Sequence, residues 1–270
     1  MLPERALPAG CATRPVVRVT RGRITGDEDR LAEEIPVAMH FNGEPFAVMM
    51  ATPADLEDFA RGFALTERRV ASIDDVASIE VNHMLEGITV NVLTHAGSVS
   101  AQASPPRQMP GRSGCGICGS RELEDVIRHP DPVGAGPRVD PEAIGRALDA
   151  LRSAQPINAL TGSVHAAGWA LPDGSLIMSR EDVGRHNALD KLIGALLAAR
   201  IDTDDGFVVL TSRASYEMVT KAAVAGIAVV VAISAPTALA VHLASDCGVT
   251  LVGFAREGRF NVYSRPQRIV

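Results

Sequence analysis

Hydrophobic and polar positions change period several times along the chain, and each change marks an element. Ile35 to Phe41 and Phe46 to Met50 flank Asn42-Gly43, a pair that tolerates φ > 0, so they read as a β-hairpin. Thr52-Pro53-Ala54-Asp55 then reads as a helix start, with Thr52 as N-cap, Pro53 at the first helical position and Asp55 at the third. Leu56, Phe59, Ala60 and Phe63 follow at helical spacing, and Val76 to Val81 and Ile88 to Leu93 read as two further strands around Glu86-Gly87.

The second half is more apolar. Asp140-Pro141 opens a helix ending near Ser153, and Val164 to Leu171 and Leu176 to Ser179 are strands around Pro172-Asp173-Gly174. A helix from about Asn187 to Arg200 buries Leu189, Leu192, Ile193 and Leu196. Three fully apolar strands follow, Phe207 to Leu210, Ile227 to Ile233 and Val249 to Phe254, separated by helix-length segments, Ser215 to Ala225 and Pro236 to Asp246. Continuous apolar strands alternating with helices predict a sheet at least partly parallel and covered on both faces. The expected fold class is therefore α/β, a mixed sheet covered by helices in three layers, with a smaller α+β part before it. The expected division is a weakly patterned extension over 1–32, the α+β part over 33–101, a mobile Pro/Gly loop over 102–119, and an α/β core over 120–270. A short helix is expected from Ser120.

Composition narrows the function. With 46% hydrophobic and 21% charged residues, the 270-residue chain is globular. The formal net charge of −6 argues against a general nucleic-acid or membrane-surface binder. No secretory signal or membrane span is apparent, which points to a cytoplasmic protein with reduced thiols. Lys191 and Lys221 are the only lysines among 26 basic residues, a bias that resembles GC-rich coding and weakens any argument from a lone arginine.

Four cysteines are too few for a disulfide scaffold, but Cys115 and Cys118 form a C-x-x-C flanked by glycines. Such a motif ahead of a helix start suits an exposed thiolate of lowered pKa. It could form a redox disulfide, bind metal, carry sulfur as a persulfide, or hold two incidental thiols. A closed zinc site would need a second ligand pair, and Cys11 and Cys247 are isolated, so no structural zinc is expected.

Three other segments concentrate polar chemistry. Thr161 to Trp169 with Ser179 to Asn187 brings together His165, Asp182, Arg185 and His186, either a polar site or a helix cap beside a core histidine. Thr211-Ser212-Arg213, with Ser215 beyond, follows an apolar strand where open α/β sheets bind ligands, although helix capping by Ser212 or Ser215 is an equal reading. Phe254-Ala255-Arg256-Glu257-Gly258-Arg259 places two guanidiniums around a glycine turn, an ordinary hairpin or an anion clamp.

These segments resemble the FdhD family, sulfur-carrier proteins required for formate dehydrogenase activity. The resemblance covers about residues 33–265 and is most specific from Arg180 to Gly194; it also takes in Cys115-Gly-Ile-Cys118-Gly, Thr161 to Ala167, Ser212 to Met218, Ser234 to Thr237 and Gly253 to Asn261. It departs at Ser163 and Ser120, where the family usually has Gly and often Lys, and neither departure removes a thiol. The resemblance implies a cytidine-deaminase-like C-terminal region, although the H-x-E and P-C-x-x-C zinc signatures of deamination are missing. It implies that a cysteine desulfurase loads Cys115 as a persulfide, with Cys118 as a supporting thiol. The sulfur then passes to a molybdenum or tungsten bis(molybdopterin guanine dinucleotide), which a guanine nucleotide would mimic, before that cofactor enters formate dehydrogenase. Phe254 to Arg259 matches the family's cofactor-binding stretch, and a homodimer is implied by the family alone. The rival functions are a C-x-x-C redox protein and a non-catalytic cofactor-binding chaperone.

Overall fold

The structure is a computed structural model that describes residues 7–95 and 130–270. The 102–119 loop, the C-x-x-C and the helix expected from Ser120 lie outside the described residues.

The main body is a six-stranded mixed sheet in the order β12-β11-β10-β9-β7-β8, built from β7 (His165–Ala170), β8 (Leu176–Asp182), β9 (Phe207–Leu210), β10 (Val229–Ala232), β11 (Thr250–Arg256) and β12 (Arg259–Ser264). β9, β10 and β11 are parallel to one another, and β7, β8 and β12 run antiparallel at the flanks. The central strands are buried on both faces, as their unbroken Val, Ile and Leu runs require. Helices α4 (Arg185–Ala198), α5 (Tyr216–Val224) and α6 (Ala238–Asp246) share one core with the sheet, and α2 (Pro141–Ser153) shares another. The sheet is thus the middle of three layers, as expected. Asp140 caps α2 through its side chain on Glu142 N, with Pro141 at the first turn.

A second, four-stranded sheet stands before it: β3 (Ile35–Phe41), β4 (Glu44–Ala51), β5 (Val76–Met84) and β6 (Gly87–Thr94), in the order β4-β3-β6-β5, with α1 (Leu56–Thr66) as the crossover. Asn42 and Gly43 take φ of 51° and 84°, completing the expected hairpin turn. The start of α1 differs from expectation. Its N-cap is Asp55, in the left-handed region with no side-chain cap bond, and Thr52 lies upstream. Thr52 is fully buried and occupied elsewhere: its N–H donates to Asp182, its hydroxyl accepts from Val183 N–H, and its carbonyl accepts from Lys191. Tertiary partners outweigh the local capping preference there.

The two sheets are joined where α1 crosses α4. A Cβ at Gly62 would lie 1.8 Å from the Asp190 carbonyl oxygen, and one at Gly194 would lie 1.8 Å from the Asp58 carbonyl oxygen, so only glycine permits this approach.

Within the weakly patterned extension, whose one β-branched run is Val16 to Val19, residues 11–32 form a ribbon. β1 (Cys11–Thr20) and β2 (Arg23–Ala32) pair antiparallel from Cys11↔Ala32 to Thr20↔Arg23, turning through Arg21 and Gly22 with φ of 50° and 81°. Neither face of this ribbon is buried along most of its length. Its sequence therefore lacks the apolar-polar alternation that would reveal strands.

Candidate functional site: an arginine-rimmed cleft

A cleft of about 740 Å³ opens at the carboxyl ends of β9, β10 and β11. Thr211 and Ile233 each stand one residue past their strands, Ala255 and Arg256 close β11, and His165 starts the antiparallel β7 at the same edge. α2 supplies Leu148, Leu151 and Arg152, while Asn158 comes from α3 (Pro156–Thr161). Open α/β sheets bind ligands beyond the carboxyl ends of their parallel strands, and this cleft lies at that edge. Leu148, Leu151, Val164, Ile233 and Ala255 give the cleft an apolar floor, Gln155 is buried with them, and Arg152, Arg256, Glu257 and Arg259 are exposed at its rim.

The rim is cationic. Arg256 and Arg259 face each other across the β11–β12 ladder, joined by Glu257 and by Gly258 at φ 71°. Both are exposed, and neither makes an ion pair among the described residues. Uncompensated guanidiniums at a cleft mouth are suited to phosphate or carboxylate oxygens. Arg152 pairs only with Asp149 on its own helix, at 3.4 Å. His165 is partly buried; burial first, then the Arg185 guanidinium, hold its imidazole below the ordinary 6.5, against a bond to the Thr211 backbone. It is therefore neutral at pH 7.

The tip of the β11–β12 hairpin borders two adjoining hollows. One, of about 440 Å³, is lined by Phe254, Arg256, Arg259, Phe260 and Asn261, and another, of about 350 Å³, includes Gly258 and the first turns of α2. Phe254 sits in a bulge of β11 at φ 52°, and the residue is 44% exposed. The hollow thus sets an exposed aromatic beside two arginines.

The remaining candidates are distributed differently. Of the polar cluster around His165, only His165 lines the cleft. Arg185 opens α4 near enough to His165 to act on its charge, His186 is buried with Nε2 3.3 Å from Glu217 Oε2, and neither lines the cleft. Asp182 does not cap α4, whose N-cap is Gly184 without a side-chain bond. It is fully buried, accepts from Thr52 N–H, Gly184 N–H and Asn187 Nδ2, and pairs with Lys191 Nζ at 2.7 Å. Glu181 accepts from Ile157 and Asn158 N–H at 2.9 and 2.8 Å and so positions α3 beneath the cleft. Burial pushes its carboxyl up. This cluster is therefore largely a buried junction beside the site. Ser212 is buried with its hydroxyl on the Arg213 carbonyl, Arg213 is exposed, and neither lines the cleft. Ser215 is the N-cap residue of α5 but makes no side-chain cap bond.

Arg152, Gln155 and Asn158 are lining residues that sequence reading did not single out as sites, whereas Thr211 belongs to a segment it did single out. Only Thr211 carries a signal, its place just after an apolar parallel strand; the others are polar residues of helices that happen to face the sheet edge. Among the described residues no group of three or more His, Cys, Asp or Glu is placed to hold a metal, and no helix is long and apolar enough to cross a membrane.

Fold and cleft define a mixed α/β protein with an arginine-rimmed cleft beyond its parallel strands. The chain belongs to the FdhD/NarQ family, which matches residues 32–270. It is 51% identical over 267 residues to the sulfur carrier protein FdhD of Xanthomonas campestris pv. campestris (strain B100), covering 99% of this chain and 95% of that one. It is 47% identical over 256 residues to that of Bordetella bronchiseptica, covering 94% and 93%. Its fold matches a crystal structure from Desulfotalea psychrophila assigned as a formate dehydrogenase accessory protein, with a TM-score of 0.78 at 25% identity over 97% of this chain and all of the other.

Proposed function

We propose that the protein is a sulfur carrier serving formate dehydrogenase. It takes sulfur from a cysteine desulfurase as a Cys115 persulfide and delivers it to a molybdenum or tungsten bis(molybdopterin guanine dinucleotide). The observation that supports this best is the cleft itself, with an apolar floor for a flat ring system and, for pyrophosphate, Arg256 and Arg259, which have no ion-pair partner among the described residues, at the carboxyl edge of the parallel strands. The curated relatives, named as sulfur carriers along nearly the whole chain, support it independently.

The chemistry balances with two thiols. Cys115 thiolate attacks the terminal sulfur of the donor persulfide, the donor S–S bond breaks, and the desulfurase cysteine leaves as thiolate. Cys118 thiolate then attacks the inner sulfur of the Cys115 persulfide. A Cys115–Cys118 disulfide forms and hydrosulfide leaves with the electron pair. Hydrosulfide replaces one oxygen ligand of the bound cargo, which departs as water after taking up the hydrosulfide proton and one from solvent. A dithiol reductant restores the pair.

Mass analysis after incubation with a cysteine desulfurase and cysteine tests the assignment. Cys118→Ala keeps one added sulfur atom and releases it as sulfide only when an external thiol is added, wild type gains the atom and then loses it as sulfide with formation of the Cys115–Cys118 disulfide, and Cys115→Ala gains none. An adduct that persists on Cys115→Ala would remove Cys115 as carrier. Nucleotide binding with no adduct on any form would favour the chaperone reading, and a cycling disulfide with no adduct would favour the redox one.

A further inference from the structure

We propose that Glu257 is the residue by which the cleft selects guanine over other bases. The inference rests on the reading of the cleft as a nucleotide site and adds the part of the ligand it discriminates.

Among the described residues that line the 740 Å³ cleft, Glu257 is the sole acidic side chain, and Arg152, Arg256, Arg259 and His165 line the same cleft. A carboxylate at the mouth of a site for a polyanion repels that ligand unless the ligand brings hydrogen-bond donors to it. Glu257 has no ion-pair partner among the described residues, so its charge is not already consumed by either neighbouring arginine. It stands at the turn between Arg256 and Arg259, the two groups suited to the phosphates.

Guanine is the base whose Watson–Crick edge presents two adjacent donors, N1–H and the N2 amine, matching the two oxygens of an ionised carboxylate, which only accepts. Adenine presents one amine donor and the N1 lone pair, which faces the carboxylate unfavourably. Hypoxanthine keeps N1–H but lacks the amine. A charge-assisted pair is stronger than neutral bonds, and a site built to pair with donors rejects a ligand that lacks them.

Equilibrium dialysis of the full chain against GDP, IDP and ADP tests this. Wild type binds GDP most tightly, then IDP, then ADP, with GDP favoured over ADP about ten- to a hundredfold, the range for hydrogen bonds to a charged group. Glu257→Gln brings the three within about threefold of one another, by weakening GDP while ADP holds or tightens as the negative charge is removed. Arg256→Ala with Arg259→Ala weakens GDP and ADP together and leaves their ratio intact. A wild-type chain that binds GDP and ADP equally, or a Glu257→Gln chain that keeps the wild-type ratio, overturns the role of Glu257 while leaving the cleft a nucleotide site. A wild-type chain that binds none of the three overturns the cleft reading itself.

Discussion

The cleft rim and the junction between the two sheets use basic side chains in opposite ways. At the junction the only two lysines of the chain are buried and paired. Lys191 meets Asp182 at 2.7 Å with neither side chain exposed, and Lys221 meets Asp190 at 2.8 Å and Glu67 at 3.4 Å. Lys221 also donates to Thr66 Oγ1, which itself donates to Asp190. Burial works against the Lys221 charge, but Asp190, Glu67 and Glu217 outweigh it and hold the ammonium protonated, above its usual range. Burial likewise pushes the Asp190 carboxyl up, with Lys221 the main charge opposing that. At the rim, Arg256 and Arg259 are exposed and have no protein counter-ion among the described residues. A charge whose partner is internal holds the fold, and a charge whose partner is absent from the chain is available to a ligand. The compact ammonium suits a crowded helix junction, and the forked guanidinium suits phosphate.

The contrast is broken most directly at the junction. Lys221→Met leaves Asp190 and Glu67 buried without their cation and lowers stability by about 3–5 kcal/mol, read by urea unfolding. Adding Asp190→Leu and Glu67→Gln to it recovers much of that loss, because the uncompensated charge is gone. If the triple variant is no more stable than Lys221→Met, charge compensation is not what the lysine supplies. Gly194→Ala comes next: its Cβ meets the Asp58 carbonyl and forces α1 away from α4, at about 1–3 kcal/mol or more in the same assay.

The rim responds in the other currency. Arg256→Ala with Arg259→Ala changes unfolding by no more than about 0.5 kcal/mol, as for exposed positions, while GDP affinity falls about ten- to a hundredfold. Unchanged affinity would dismiss the clamp. The smallest effect is at His165. Because its folded pKa lies below the ordinary 6.5, the unfolded chain binds the extra proton, so its contribution is present above that value and is lost as pH falls through the folded pKa. Thermal unfolding between pH 7.5 and 5 should fall less steeply in His165→Gln than in wild type.

Most elements were legible before the fold because their patterns are local. The Asn42-Gly43 hairpin, the Asp140-capped α2 and the apolar strands β9 to β11 occur where expected, to within a few residues. The ribbon over Cys11–Ala32 was hidden because a ribbon exposed on both faces leaves no period-two signature. The cap at Thr52 was misplaced because a buried junction claims its N–H, hydroxyl and carbonyl. In the candidate site, the Phe254–Arg259 stretch and His165 stood out as clustered chemistry, but Arg152, Gln155 and Asn158 did not. Their relevance depends on which face α2 and α3 turn toward the sheet edge.

The sequence by itself determined the α/β class, the central parallel strands, the C-x-x-C and the family resemblance, because periodicity, turn chemistry and motif spacing are properties of neighbouring residues. Only the tertiary structure decided that Asp182, Glu181, Lys191 and Lys221 serve a buried junction, and that Arg256, Arg259, His165 and Glu257 share one cleft. A charged side chain becomes structural or ligand-binding according to whether folding brings an opposite charge to it, and such partners can lie far apart in sequence, as Lys221 and Glu67 do.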